Sequence, residues 1–150
     1  MTYQDFPSTA KVWIYQSNRE FIEKERNFIL SSSSDFLKNW NAHGSKLNAC
    51  AEIFYNRFLV FFVDETMASA SGCSIDKSVH FVKELEQRLN LNFFDRLQIA
   101  YLEDEEVKTI HFSEINALSD NTIIFNNAVT SKLEWETSWK QPIRESWVVR

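Results

Sequence analysis

The sequence predicts an α+β fold: a ferredoxin-like split βαβ core, of order β-α-β-β-α-β over residues 11–103, with an additional strand and a Trp-rich helical extension behind it. Three observations lead there. Strand-like runs rich in β-branched and aromatic residues alternate in that order with two stretches of helical periodicity. Both faces of the central hairpin are apolar, so one layer of helices cannot cover it. Residues 107–150 carry Trp135, Trp139 and Trp147, the obvious material for the second cover.

At 150 residues the chain is expected to be one domain, 1–150, with 11–103 as the core sandwich and 104–150 packed on its sheet. A chain of this length buries about 70% of its unfolded surface. The thirteen Phe and five Trp supply a generous core, and disorder is expected only at the termini. Two Gly and two Pro leave little room for long loops. The alternative cover for the open sheet face is a second copy of the chain, because a bare Phe-rich face would be a large apolar patch.

The first strand is "KVWIYQ" (11–16). A helix is expected from about Phe21 to Ala42, with Phe21, Phe28, Phe36 and Trp40 near one stripe. Its four serines, Ser31–Ser34, are weak helix formers and allow a bend or break there. His43 and Gly44 are expected to end it, an imidazole near the negative end and a glycine able to take positive φ.

"NACAEIFYNRFLVFFVDE" (48–65) is the strongest hairpin signal. A two-residue turn at Asn56-Arg57 would pair Tyr55 with Phe58. That register puts Ala51, Ile53 and Tyr55 on the same face as Phe58, Val60 and Phe62, and Cys50, Glu52 and Phe54 with Leu59, Phe61 and Val63. The second helix is expected from about Ser74 to Asn90, burying Ile75, Val79, Val82, Leu85 and Leu89. "RLQIAYLE" (96–103) and "VKTIHF" (107–112) form a hairpin around an acidic turn. A short helical turn follows Ser113, and "TIIFNNAV" (122–129) is a further strand. Ser131 and Glu134 fit a capping box opening a short helix that Pro142 stops, with Trp135 and Trp139 stacked at i,i+4. "ESWVVR" closes the chain as a strand or tail.

The net charge of −5 argues against general nucleic-acid binding, which needs clustered Lys and Arg. "RFLVFFV" resembles the base-stacking strand of RNA-recognition sheets but lacks that motif's glycine. No basic flank precedes an apolar segment near the N-terminus, and the longest apolar run, "FLVFFV" (58–63), is far too short to span a bilayer. Two cysteines, Cys50 and Cys73, without metal spacing or a disulfide framework suit a reducing cytoplasm.

The run "YNRF…VDE…ASGCSIDKSVHF.KELE", with "W.AHG" before it and "FNN.VT" after, resembles a family of Bacteroidetes proteins of about this length. The resemblance covers nearly the whole chain and is most specific through "SGCSIDKS" at residues 71–78. Members of that family often carry the label "ABC transporter ATPase". The family has no established activity, so the resemblance implies no catalytic residues. The label can be tested on the residues themselves. A Walker A loop needs two glycines five apart, so that backbone N–H groups can wrap phosphates. The only glycines are Gly44 and Gly72. ATP hydrolysis of the ABC type is excluded.

One stretch combines the ingredients of a site. Ser71, Gly72, Cys73, Ser74 and Lys77 surround an expected helix N-terminus, where orphan N–H groups bind anions and lower a neighbouring thiol's pKa. Cys73 is the candidate nucleophile, one residue before the expected N-cap Ser74. His80, the nearest base in sequence, falls two turns down the helix, and Asp76 in the first turn would repel an anion. The competing reading is a simple helix start with a small buried thiol. Asp76, His80 and Glu84 share a helix face but lack a further ligand, so no metal is expected. His43 and His111 are isolated. Asp64 and Glu65 end a strand, either as a general acid/base pair or as a solvated turn. Glu52, alone among apolar neighbours, either reaches water or Arg57 at an edge, or sits in a pocket with a raised pKa.

These readings leave two function classes foremost, with RNA binding a third that would show a bare aromatic sheet face ringed by Lys and Arg. The first is a non-enzymatic binding or assembly module without a cofactor, working with a protein partner or by self-association. The alternative is a small cysteine-dependent enzyme or anion-binding protein using residues 71–77. A filled turn at Ser71–Ser74 would favour the first, and a pocket converging on its N–H groups the second.

Overall fold

The computed structural model describes residues 2–66 and 68–148. Its first sheet contains β1 (Lys11–Gln16), β4 (Asn48–Phe54) and β5 (Phe58–Asp64), ordered β1-β5-β4 with both pairs antiparallel. Hence β1 and β4 run parallel on either side of β5, joined through the helix α1 (Glu23–Lys38). A second helix, α2 (Gly72–Leu89), follows β5.

The expected fourth strand does not join this sheet. Gln98–Glu103 (β6) pairs with Glu106–His111 (β7) and with Ile123–Phe125 (β8) in a second sheet, ordered β7-β6-β8-β9, where β9 is Lys140–Pro142. Two causes are visible. The β6–β7 hairpin closes on Asp104 and Glu105, both at positive φ, as a two-residue turn with the twist of antiparallel strands. The free edge of β1 is engaged by another segment: the Val12 N–H donates to Thr130 O at 3.1 Å and the Lys132 N–H to Ala10 O at 2.8 Å. That segment leads into α3 (Lys132–Ser138), capped by Ser131, whose hydroxyl accepts from the Glu134 N–H at 3.1 Å.

The helix expected over 21–42 ends at Lys38. Trp40, 1% exposed, turns inward, and its indole N–H donates to Ser74 O at 2.8 Å, drawing the chain across to α2. His43 (φ 51°) and Gly44 (φ 80°) then form the turn of a small ribbon, β2 (Asn41–Ala42) and β3 (Ser45–Lys46), rather than a helix cap. The serines do not break α1. Ser33 is buried, so packing overrides a weak propensity. The α1 N-terminus is held by Glu25, which accepts from the Ile22 N–H at 3.0 Å and from both Arg19 terminal nitrogens at 2.8 Å.

The central hairpin spans the expected strands in a register one residue away. Phe54, not Tyr55, pairs with Phe58. Tyr55 and Asn56 carry the positive φ values, the Arg57 N–H donates to Phe54 O at 3.0 Å, and Arg57 is the extra residue before β5. A one-residue slip exchanges the faces of one strand against the other. Ala49, Ala51 and Ile53 therefore share the helix side with Leu59, Phe61 and Val63. Cys50, Glu52 and Phe54 share the opposite side with Phe58, Val60 and Phe62.

Every residue of Phe58–Val63 is fully buried, because both sides of β5 are covered. On one side lie Ile29 of α1 with Val82 and Leu85 of α2. On the other lie Ala100, Val107, Phe125 and Trp139, so the second cover comes from this chain itself. Trp135 and Trp139 stack there with centroids 5.5 Å apart. Tyr3 and Phe6 join them from the other end of the chain. Trp147 is 43% exposed and stands outside this cluster. Of the closing segment 145–150, expected as a strand or tail, Glu145 ends a 3-10 turn (Ile143–Glu145), residues 146–148 form no strand, and residues 149–150 lie outside the described residues.

Candidate functional site

The Ser71–Lys77 turn starts α2 earlier than expected. Ser71 is the N-cap, which places Cys73 inside the first turn and Ser74 at its third position. The two serines satisfy each other: Ser71 Oγ accepts from the Ser74 N–H at 3.1 Å, and Ser74 Oγ accepts from the Ser71 N–H at 2.7 Å. The approach to the turn is tied as well, with the Ala70 N–H donating to Glu65 Oε2 at 2.8 Å. Ser74 is buried, whereas Cys73 is exposed. The nearest base in sequence is turned to another partner, His80 Nε2 lying 3.4 Å from Glu84 Oε1.

Lys77 belongs to a neighbouring cleft of about 600 Å³ between α1 and α2. Its floor is the stacked pair Phe36 and Phe81, centroids 4.7 Å apart. Asp76, Lys77, His80 and Glu84 stand on one wall and Asp35 and Asn39 on the other. The helix face read from sequence is thus a cleft wall, but Ser71–Ser74 do not line it. Among the described residues no group of three or more His, Cys, Asp or Glu is arranged to hold a metal ion.

The other candidates take structural positions. Asp64 accepts from the Thr66 N–H at 3.0 Å and from the Thr66 hydroxyl, which hold its carboxyl below the usual aspartate range. Glu65 serves Ala70, so the two acids brace a loop instead of facing each other. His111 Nδ1 accepts from the Ser113 N–H at 3.1 Å. Glu52 is half-buried on β4 and does not meet Arg57. Arg57 turns inward instead, 8% exposed, and donates to the carbonyls of Ser17 (3.2 Å), Asn18 (2.8 Å) and Val107 (3.2 Å). Burial lowers its guanidinium pKa from the ordinary value. The residue expected in the turn is therefore the clasp between the two sheets. Burial, reinforced by Glu52, pushes the Cys50 thiol up to about 12, which favours its neutral form.

Sequence reasoning missed a second cleft. It holds about 510 Å³ between α1 and β4. Leu30, Leu37 and Leu47 give it an apolar lining, and the small Ala49 and Ala51 leave its floor low. Lys38 and Lys46 flank it, and no carboxylate lines it. Beside it, β4 ends the three-stranded sheet: among the described residues no strand pairs with its outer edge. The signal in the sequence was the pair of alanines two apart, Ala49 and Ala51, which point at the helices only in the observed register.

Comparison with protein-family models, with curated proteins and with solved structures returns no match.

Proposed function

We propose that this protein is a non-enzymatic binding module that holds an extended segment of a protein partner along the outer edge of β4. One observation carries the reading: seven strand residues with an unpaired edge lie directly beside a cleft of about 510 Å³. An exposed edge presents a row of backbone donors and acceptors that an added strand can satisfy. An adjoining cleft accepts alternate side chains of that strand. A volume of this size falls within the ordinary range of ligand sites. We further read β1, α1, β4, β5 and α2 as a ferredoxin-like unit whose fourth-strand position is taken by the segment around Thr130. Two free cysteines and the lack of a membrane-crossing helix among the described residues suit a module working in the cytoplasm.

Probing an array of pentapeptides of varied sequence tests the reading. The wild-type protein is expected to retain a subset of spots, and Ala51→Leu, which fills the cleft floor, to lose them while its thermal unfolding stays cooperative. An array that retains nothing, or retains the same spots for both proteins, contradicts the proposal.

A second reading, a cysteine-dependent enzyme or anion-binding protein built on Ser71, Gly72, Cys73, Ser74 and Lys77, draws on the exposure of Cys73 in the first turn of α2. Its distinguishing result is a thiol that alkylates well below the ordinary cysteine range of about 8.5.

A further inference from the structure

The geometry points to the occupant of the β4 edge: the free C-terminal tail of a protein partner, running antiparallel to β4, with its terminal carboxylate held by Lys38 and Lys46. This deepens the binding-module reading and rests on it. The position of the lysines follows from the topology, and with it the polarity of a tail whose carboxylate they hold. A crossover helix runs back against the two parallel strands it joins, so the C-terminus of α1 lies where β4 begins. Lys38 is the last residue of α1, and Lys46 precedes β4 by two positions. Both lysines thus stand at one end of the cleft, the end where β4 starts. A strand added antiparallel to β4 finishes at that end.

Charge agrees with this polarity. The chain has 21 acidic residues against 16 basic ones, yet the cleft is lined by two lysines and no acid. Among the described residues Lys38 has one ion pair, with the Asp35 carboxylate 3.9 Å from its Nζ and both side chains largely exposed, and Asp64 at the same end is engaged by Asn48 and Thr66. Exposed pairs of this kind are weak, so Lys38 remains free to accept a stronger anionic partner. A terminal carboxylate offers two oxygens to two ammonium groups, in charge-assisted hydrogen bonds about twice as strong as neutral ones. The alternate side chains preceding it would be apolar, matching Leu30 and Leu37.

The test uses two pentapeptide arrays of the same varied sequences, one ending in a free carboxylate and one in a carboxamide, probed with the whole protein. Wild-type protein should bind its preferred sequences at least about tenfold more tightly as carboxylates, the gain expected of a hydrogen bond to a charged group. Lys38→Gln combined with Lys46→Gln, both surface substitutions, should remove that preference and leave thermal unfolding unchanged. Equal binding of the two arrays would overturn the carboxylate inference while leaving the strand-addition reading intact. Binding to neither array would overturn both. Preference for carboxylates that survives the double substitution would overturn the assignment to these lysines. Self-pairing, seen as a dimer in sedimentation that the double substitution does not disturb, would replace the tail by a second copy.

Discussion

At the residue scale, the chemistry of this chain is decided by which polar groups are already engaged. Cys50 is half-buried with a thiol pushed up to about 12, whereas Cys73 is exposed. Iodoacetamide at pH 8 should therefore label one thiol, Cys73, and reach Cys50 only in denaturant. Peptide mapping of the modified protein checks this. Glu25 shows the same logic for an acid. The Arg19 fork beside it holds its carboxyl below the usual glutamate value of 4.5. A carboxyl whose folded pKa is depressed adds stability that is present above the unfolded pKa and is lost as pH falls through the folded one. Glu25→Gln should cost about 1 kcal/mol at pH 7, and its difference from wild type should shrink as pH falls below 4.5. Urea unfolding at a series of pH values reads that difference. Arg57 was legible only as a turn residue. Its role as a buried clasp depends on Ser17, Asn18 and Val107, residues far apart in sequence, which no local pattern reveals.

At the scale of elements, local patterns located most strands and helices, and long-range partners moved their ends. The β1 run and both strands of the central hairpin stand where alternation and β-propensity place them. The hairpin register slipped because Asn56-Arg57 reads as a good turn, while the observed corner is Tyr55-Asn56 with Arg57 added beyond it. Nothing local distinguishes the two until Arg57 finds its carbonyls in the interior. The inner face of α2 carries a similar surprise. Ser74 and Ser78 are buried there and Ile75 is 37% exposed, so the helix is rotated from its most hydrophobic stripe. The two serine hydroxyls are satisfied within the helix, Ser74 Oγ donating to Ser71 O at 2.8 Å and Ser78 Oγ to Ile75 O at 2.6 Å, while the Trp40 indole N–H donates to Ser74 O. In α1, the Ser33 hydroxyl is buried without a hydrogen-bond partner among the described residues. Ser33→Ala should raise the unfolding free energy by about 0.5–1 kcal/mol, since it removes an unsatisfied group and improves helix propensity. Chemical denaturation is sufficient to see the change.

At the scale of the whole molecule, the two-sided sheet explains why the chain continues past α2. A Phe-rich face left bare would be a large apolar patch, and the second sheet and α3 close over it. Trp139, 2% exposed and donating its indole N–H to Asn127 Oδ1 at 3.0 Å, lies in the middle of that cover. Trp139→Ala should destabilise the protein by about 3–5 kcal/mol, measured by thermal or urea unfolding. The need for a cover was readable from the two apolar faces of the hairpin. What covers the opposite edge was not, because it depends on β6 pairing with β7 and β8 and on the 130–132 segment occupying the far side of β1. Those placements leave β4, not β1, as the open side beside the cleft.

Amide hydrogen exchange along β4 and β5, measured at two protein concentrations, addresses that open side directly. Amides of β5, bonded on both sides, should be strongly protected, while the outward-facing amides of β4 should exchange orders of magnitude faster and equally at both concentrations. Protection of every β4 amide to the level of β5, or protection that grows with concentration, would mean that the edge is already covered and would contradict the account.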